Sequence, residues 1–433
     1  MRALALAVLG ACTSSRGTLD VALVVAPGSH LLDDVQVLRL VLTNPVQEIT
    51  AARDSGMFSI AIDVEANGAQ RSVIIDGLDA AGTVIATGAS PEFAIYPIDS
   101  RLAIYMAAPN TIAAAPVELA SSLDQVGIAP LSYGAMFAGG RDRNGSPSDA
   151  ISIYNVYDHA LTPGAAMPEP RSGVAVGGSS GRYMYLFGGR DAAGEITANL
   201  WRFDAQVAPS GAVTDFGTSQ FPRSQQAMVP ISGDRVLITG APALELSTTA
   251  NRVAPRGDAP TLPANAAAIT GRDGVAVAVF ASADALTRFR NDMFDTLDVP
   301  MANRSGAAVI GLPDGKVAIV CGDGDAIRLD PVTGVSEAFS IPTARRTGCA
   351  VAATQRHLVI AGGTTISTGA VATTAEVYDA TTLNLIATTP LVVPRTGAQA
   401  TALPNDQIII SSGLDERGAP SAVLELFTPA SRD

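Results

Sequence analysis

The stretch that decides the fold joins a Pro-Arg-Ser-Gly turn to two short apolar strands. It consists of Met167-Pro168-Glu169-Pro170-Arg171-Ser172-Gly173, Tyr183-Met184-Tyr185-Leu186-Phe187-Gly188-Gly189 and Asn199-Leu200-Trp201-Arg202-Phe203-Asp204. Short apolar runs that are bounded by glycine, proline and polar turns predict β-strands. The stretch therefore predicts neighbouring strands, the first ending in a glycine pair and the second in an aspartate.

The same features recur along the last three quarters of the chain. Seven apolar strands end in a glycine pair or a comparable small residue, and the first small residues are Gly139, Gly188, Gly240, Ala281, Cys321, Gly362 and Ser412. In five of the copies an Arg-Ser or Arg-Thr pair precedes the first small residue by 16 or 17 residues, and the arginines are Arg171, Arg223, Arg304, Arg346 and Arg395. A constant distance within a repeat of variable length predicts a fixed hairpin joined by variable loops.

This combination resembles the kelch repeat over about residues 111–430, including an aspartate that follows Tyr, Phe or Leu, as in Tyr157-Asp158 and Phe203-Asp204. The resemblance implies a β-propeller built of four-stranded antiparallel blades. Seven copies predict seven blades. Six is the alternative, because the fourth copy lacks both the glycine pair and the arginine. The last copy stops after three strands, so residues 111–117 are expected to pair with 424–427 and close the propeller.

The segment before the repeats carries different signals. Residues 19–108 contain neither marker, but they hold six or seven short apolar runs that are separated by turns such as Asn67-Gly68 and Asp76-Gly77. This pattern predicts a small β-sandwich of immunoglobulin or fibronectin type. The predicted fold class of the whole chain is therefore all-β.

The N-terminus has the features of an export signal. Arg2 precedes the apolar run Ala3–Leu9, which is too short to span a bilayer but long enough for a signal peptide. Leu9-Gly10-Ala11-Cys12 resembles the lipobox of bacterial lipoproteins. The resemblance implies a signal peptide over residues 1–11, lipidation of Cys12, a tether over 12–18, and a lipid anchor in the cell envelope, at the periplasmic or surface side of the outer membrane. A secretory signal with an incidental cysteine is the alternative.

Export also changes the interpretation of the other two cysteines. If Cys12 carries lipid, Cys321 and Cys349 remain as a pair in an oxidising compartment, where disulfides persist. The alternative is that both are free cysteines, which pack in apolar strands as small hydrophobic residues. Both interpretations remain open from the sequence.

Composition excludes several classes of partner. The 433 residues include 41 acidic and 28 basic side chains, and a net charge of −13 argues against binding nucleic acid. Three histidines and three cysteines are too few for a typical metal cage, so no metal or other cofactor is expected. Asp142, Asp191 and Asp415 follow glycine pairs, but one aspartate per loop predicts a turn rather than a calcium site.

The repeated arginines are the candidate binding residues. If each begins an innermost strand, Arg171, Arg223, Arg304, Arg346 and Arg395 would form a ring around one channel mouth. Arginine suits carboxylates, which predicts a binding module for a protein, an acidic ligand or a glycan of the envelope rather than an enzyme. The alternatives are arginines that brace the blades, and a sugar mutarotase or epimerase that uses Glu195, Glu337 or Glu376 as an acid or base.

Overall fold

The structure is a computed structural model that describes residues 16–53, 58, 61–65, 68–94, 100–178, 181–299 and 305–431. Cys12 and Arg304 lie outside these residues. The described chain is all-β, as predicted, apart from a short 3-10 helix at Leu31–Asp34. It contains no helix with the length and apolar character needed to cross a membrane.

The first part of the described chain, residues 16–107, is called the leading module. One sheet has the strand order Ala61–Glu65, Arg16–Val24, Ser100–Tyr105, and another has the order Gln47–Ala52, Val37–Leu42, Val73–Leu78, Val84–Ala89. A two-stranded ladder pairs Gln70–Arg71 with Phe93–Ala94. Leu19 and Leu102 of the first sheet share a buried cluster with Leu40 and Ile75 of the second.

The first strand starts earlier than the sequence indicates. It begins at Arg16 and takes in residues that the sequence assigned to a tether. The reason is backbone pairing, because Arg16 to Asp20 pair with the strand Ala61–Glu65. An apolar pattern does not reveal such an extension, since a ladder can include polar residues at its end.

Seven four-stranded antiparallel sheets follow in the described chain, and we number them sheets 1 to 7 by their first strands. In hydrogen-bonding order, the strands of sheet 1 are Gly127–Leu131, Gly134–Ala138, Ile151–Asn155 and Ala160–Pro163; those of sheet 2 are Ala175–Gly177, Tyr183–Phe187, Asn199–Asp204 and Ala212–Thr218; and those of sheet 3 are Met228–Ser232, Arg235–Ile238, Leu244–Ser247 and Arg252–Pro255. The strands of sheet 4 are Ala266–Thr270, Ala276–Ala281, Leu286–Arg290 and Met293–Leu297, and those of sheet 5 are Ala307–Gly311, Val317–Cys321, Ala326–Leu329 and Ser336–Phe339. The strands of sheet 6 are Ala350–Ala353, His357–Ala361, Thr374–Asp379 and Leu385–Pro390, and those of sheet 7 are Gln399–Ala402, Ile408–Ser411, Val423–Thr428 and Thr111–Glu118. A short ladder of Arg346–Thr347 with Thr364–Thr365 accompanies sheet 6.

The first strands of the sheets contact one another in order. Each lies against the first strand of the next sheet, and Gln399–Ala402 of sheet 7 returns to Gly127–Leu131 of sheet 1. Each sheet packs against a neighbouring sheet on both faces. This explains why strands such as Val317–Cys321 and His357–Ala361 are buried at every position. The architecture is that of a β-propeller.

Sheet 7 draws its strands from both ends of the propeller chain. Thr111–Glu118 pairs antiparallel with Val423–Thr428, with Thr111 opposite Thr428 and Ala114 opposite Glu425. The ladder hydrogen bonds therefore hold together segments that lie some three hundred residues apart in sequence.

The glycine and arginine markers of neighbouring repeats meet in space. The N–H of Gly189 donates to the carbonyl of Arg223, and the N–H of Gly363 donates to the carbonyl of Arg395, at 2.7 and 2.9 Å. A Cβ atom at Gly188 would lie 2.2 Å from the Arg223 oxygen, and φ there is +69°. Only glycine avoids both the clash and the strain. The two markers thus form one joint between consecutive sheets.

Candidate functional site

The repeated arginines lie just before the first strands rather than in them. Sheets 2 and 3 start at Ala175 and Met228, several residues after Arg171 and Arg223. The expectation that the arginines begin the innermost strands was therefore wrong by a short loop. The loop forms because the carbonyl of the arginine accepts a hydrogen bond from a glycine N–H of the preceding sheet, as Arg223 does from Gly189, and not from a neighbouring strand of its own sheet.

Two of the arginines are held by buried carboxylates within their own sheets. Arg346 forms an ion pair with Glu376, and Arg395 forms one with Glu425. Both glutamates are completely buried, and both arginines are almost completely buried. Burial lowers the pKa of Arg346 to about 10, which leaves its guanidinium charged at neutral pH.

Arg171 and Arg223 donate hydrogen bonds to uncharged groups. Arg171 is 2% exposed, donates to Asn199 Oδ1 at 3.2 Å, pairs with Glu169, and lies 5.2 Å from the ring centre of Trp201. Arg223 donates to the carbonyls of Pro222 and Pro242. The structure brings these two guanidinium groups to equivalent positions of sheets 2 and 3, where both bond protein groups through their terminal nitrogens while each Nε is buried without a partner among the described residues.

A large pocket lies at the opposite end of the propeller from the arginines. We call it the axial pocket. Its volume is about 870 Å³. It is lined where the first strands end, by Ala268–Thr270, Gly311–Pro313, Gly315, Ala353–Arg356 and Ala402–Gln407, together with Ser132, Thr428–Ser431 and the leading module. Arg346 and Arg395 precede the starts of two of these strands, Ala350–Ala353 and Gln399–Ala402, so the arginines and the pocket lie at opposite ends of the first strands.

The lining of the axial pocket is rich in neutral hydrogen-bonding groups. Asn405 Nδ2 donates to Gln407 Oε1 at 2.7 Å, and Gln407 Nε2 donates to Thr428 Oγ1 at 3.0 Å. The hydroxyl of Thr270 and the amide of Gln355 have no side-chain partner among the described residues. Such groups are available to a ligand.

Three charged residues contribute to this lining. Arg356 pairs with Asp406 at 2.7 Å and donates to the carbonyl of Ala430, whereas Glu92 is exposed. The opposite charges of Arg356 and Asp406 cancel, and Glu92 adds one negative charge to the lining. The pocket is therefore electrostatically unfavourable for an anion.

The leading module forms one wall of the axial pocket. Asn405 Nδ2 donates to the carbonyl of Ala89 at 3.0 Å, and Tyr157 Oη donates to the carbonyl of Glu92 at 2.9 Å. These residues were not predicted from the sequence, because single asparagines and tyrosines in turns carry no repeated signal.

A buried histidine fixes this wall to sheet 1. His159 Nε2 accepts from the Tyr105 N–H at 3.1 Å, and its Nδ1 lies 2.6 Å from Tyr154 Oη. The accepting Nε2 requires that Nδ1 carry the proton. Burial lowers the pKa of His159 to about 4, so the ring is neutral at pH 7.

The other predicted positions are dispersed. Asp142 Oδ1 accepts from the N–H groups of Asn144 and Ser146, and Asp191 and Asp415 close equivalent turns. Glu195 and Glu337 are exposed on different sheets. Among the described residues, no three His, Cys, Asp or Glu side chains are arranged to hold a metal ion.

Cys321 and Cys349 form a disulfide in the structure. Their Cα atoms are 6.5 Å apart, and their sequence separation is 28. Cys321 ends the second strand of sheet 5, and Cys349 directly precedes the first strand of sheet 6. The bridge therefore connects two neighbouring sheets.

Comparison with known proteins supports the fold. No protein-family model and no curated protein matches the sequence. Among solved structures, the chain is similar to a fungal alcohol oxidase of the AA5 family in complex with copper, with a TM-score of 0.58 and 14% identity over 72% of this chain and 75% of that one. The structure of YjhT matches with a TM-score of 0.46 and 13% identity, over 72% of this chain and 96% of that chain. At 14% identity, the likeness to the oxidase shows the fold alone, a β-propeller.

Proposed function

We propose that the chain is a binding module whose ligand is a neutral glycan in the axial pocket. The observation that carries the proposal is a pocket of about 870 Å³ at the channel mouth, lined by hydroxyl and amide side chains such as Thr270 and Gln355. Pockets with a few converging polar groups are typical ligand sites. Sugar hydroxyls both donate and accept hydrogen bonds, as these side chains do.

The charge of the lining favours a neutral ligand over an acidic one. The self-balanced pair Arg356–Asp406 and the exposed Glu92 leave no excess of positive charge. An acidic ligand at the arginine end is the weaker candidate, because Arg346 and Arg395 already bind buried carboxylates. Breaking such a pair to bind another anion would leave a glutamate buried and unpaired, which is costly.

The test is a screen of the full chain against neutral and acidic glycans, followed by variants at both channel mouths. Gln355→Ala should weaken binding of a neutral glycan about fivefold, the loss expected for one hydrogen bond. Gln399→Ala is the matched control, since Gln399 is an exposed glutamine at the start of a first strand. Binding of acidic glycans alone, with loss in Arg223→Gln and not in Gln355→Ala, would contradict the proposal.

We also propose that the protein is a lipoprotein of the bacterial cell envelope, anchored through Cys12. The support is the short apolar run Ala3–Leu9 and the motif that ends at Cys12. The disulfide between Cys321 and Cys349 is compatible with an oxidising compartment. Mass spectrometry of the N-terminal peptide from the membrane fraction should find a diacylglyceryl group on Cys12. An unmodified Cys12 in the mature protein would rule the anchor out.

We further propose that sheets 1 to 7 are the blades of one seven-bladed kelch propeller, and that the leading module is an immunoglobulin-like or fibronectin-like sandwich. The cyclic contacts of the first strands support the blade count, and the shared core of the two leading sheets supports the sandwich. In this arrangement the sandwich serves as a spacer from the membrane and as a wall of the binding pocket. An experimental density map with six blades would contradict the count.

A further inference from the structure

A second cavity lies between sheets 5 and 6, and we call it the inter-sheet pocket. Its volume is about 400 Å³, and it shares no lining residue with the axial pocket. Ala326, Phe339 and Ile360 contribute apolar side chains to the lining, and Cys321 of the disulfide belongs to it as well. One end of the bridge between the two sheets is therefore part of the wall of the cavity.

A single loop forms one side of the inter-sheet pocket. It covers residues 340–346, which connect the last strand of sheet 5 to the joint with sheet 6, and we call it the joint loop. All of its residues except Pro342 line the pocket. Within the described part of the chain, residues 341–344 take part in no backbone hydrogen bond. Segments with few such bonds open locally at a low cost in free energy.

The disulfide is the strongest connection between the end of this loop and sheet 5. Arg345 pairs with Asp325 at the surface and donates to the carbonyl of Asp323 at 2.6 Å, and exposed ion pairs contribute little to stability. The N–H of Gly322 donates to the carbonyl of Arg346 at 2.7 Å, and the bridge closes the same joint three residues later. The buried ion pair of Arg346 lies within sheet 6, so it does not hold the loop to sheet 5.

The matching loop before sheet 7 is held without a disulfide. It covers residues 391–394, and we call it the sheet 7 loop. The N–H groups of Val392 and Val393 donate to the buried carboxylate of Glu425 at 3.0 and 3.1 Å. The sheet 7 loop therefore has hydrogen bonds from its backbone where the joint loop has none, which makes it an internal control.

Reduction of the bridge must push its two sulfur atoms apart. A disulfide holds them about 2 Å from each other, whereas non-bonded atoms are most stable at about 3.5–4.0 Å. Cys321 pairs with Ala307 in the ladder of sheet 5, so the movement falls mainly on the joint loop, which has fewer backbone bonds. Cys349 is partly exposed, which gives a thiol access to the bridge.

We propose that the disulfide is a redox latch, and that its reduction by a dithiol frees the joint loop and opens the inter-sheet pocket to a small apolar molecule. A thiolate of the dithiol attacks Cys349 Sγ, the S–S bond breaks, and Cys321 leaves as a thiolate that takes up a proton. The second thiol of the reductant then displaces Cys349 from the mixed disulfide. Two electrons pass to the protein, which now holds two thiols, and the dithiol becomes a disulfide. The lining sets the class of ligand, because it offers burial to apolar surface.

Hydrogen exchange of the full chain with and without dithiothreitol tests the latch. In native buffer, the amides of the joint loop should exchange about tenfold faster or more after reduction, because weak contacts alone then hold the loop to sheet 5. The amides of the sheet 7 loop should exchange at an unchanged rate. Equal acceleration in both loops would show a uniform loss of stability and would overturn the proposal.

A variant without the bridge provides a second test that needs no reductant. Cys321 has a φ of +62°, which glycine adopts without strain, so Cys321→Gly/Cys349→Ala removes the bridge and leaves that conformation available. Its joint loop should exchange as fast as that of the reduced wild type, and dithiothreitol should have no further effect.

The opening of the pocket is measured with N-phenyl-1-naphthylamine, a neutral apolar fluorophore. The reduced wild type and the variant should bind it about tenfold more tightly than the oxidised wild type. Binding elsewhere on the protein is common to all three samples and cancels in the comparison. Equal binding by oxidised and reduced protein, or unchanged exchange of the joint loop on reduction, would contradict the latch.

Discussion

Arg395 and Glu425 form an ion pair inside sheet 7 in which the arginine is 1% exposed and the glutamate is fully buried. The remaining donors of the guanidinium meet the carbonyls of Val393, Ser412 and Val423. Because these hydrogen bonds and the ion pair hold the Arg395 side chain, they stabilise a single conformation of the loop that precedes sheet 7. Its role is to fix the joint between sheets.

Removing one partner of this pair should therefore be costly. Glu425→Gln leaves the Arg395 guanidinium buried without a counter-charge, and we expect a loss of about 3–5 kcal/mol in the free energy of unfolding. Denaturant titration measures it. The matched control is Asp204→Asn, which breaks the exposed pair with Arg182 and should change stability much less. Similar losses in both variants would contradict the structural role.

The ladder between the two ends of the propeller chain should contribute strongly to stability. Leu426 is fully buried in the strand that pairs with Thr111–Glu118. We expect Leu426→Ala to destabilise the protein by about 2–5 kcal/mol because it leaves a cavity. Leu385→Ala is the control, since Leu385 is 44% exposed. Limited proteolysis should cut residues 111–118 faster in Leu426→Ala, and an unchanged cutting rate would argue against a closing role.

Stability should fall as the pH drops from about 6.5 towards 4. Burial lowers the pKa of His159 to about 4, whereas an unfolded histidine takes up its proton near 6.5. The unfolded state thus binds more protons in this range, and the folded state loses about 3 kcal/mol from this residue by pH 4. His357, whose pKa burial also lowers to about 4, acts in the same direction.

The variant His159→Gln isolates the contribution of that ring. Its thermal midpoint should fall less between pH 7 and pH 4 than that of the wild type, because the burial of an unprotonated imidazole is removed. His30→Gln is the control, since His30 lies on the surface beside Asp33. If the three proteins had the same pH profile, the buried histidine would not be the acid-sensitive element.

Reduction of the disulfide should weaken the contact between sheets 5 and 6. Cys321 and Cys349 close a loop with a separation of 28 residues, and loss of the bridge should cost about 3 kcal/mol through the entropy of the unfolded chain. Unfolding with and without dithiothreitol measures this difference. The double variant Cys321→Ala/Cys349→Ala should be insensitive to the reductant. Free thiols at both positions in unreduced protein would disprove the bridge.

The amino-acid sequence determined the repeat and the local geometry of its joints. The glycine pairs marked the strand ends, where Gly188 and Gly362 adopt positive φ. The aspartates after the glycine pairs indicated turns, as at Asp142 and Asp191, whose carboxylates accept backbone N–H groups just downstream. These features depend on residues close in sequence, so a repeated pattern reveals them.

Only the tertiary structure decided what the arginines contact and where the pocket lies. The partners of Arg346 and Arg395 are 30 residues away, and the contact of Asn405 with Ala89 spans 316 residues. Such contacts arise when the sheets close into a ring and the leading module docks on one mouth. Local periodicity does not predict docking, because the hydrogen bond that a single asparagine or tyrosine in a turn forms depends on which surface packs against it.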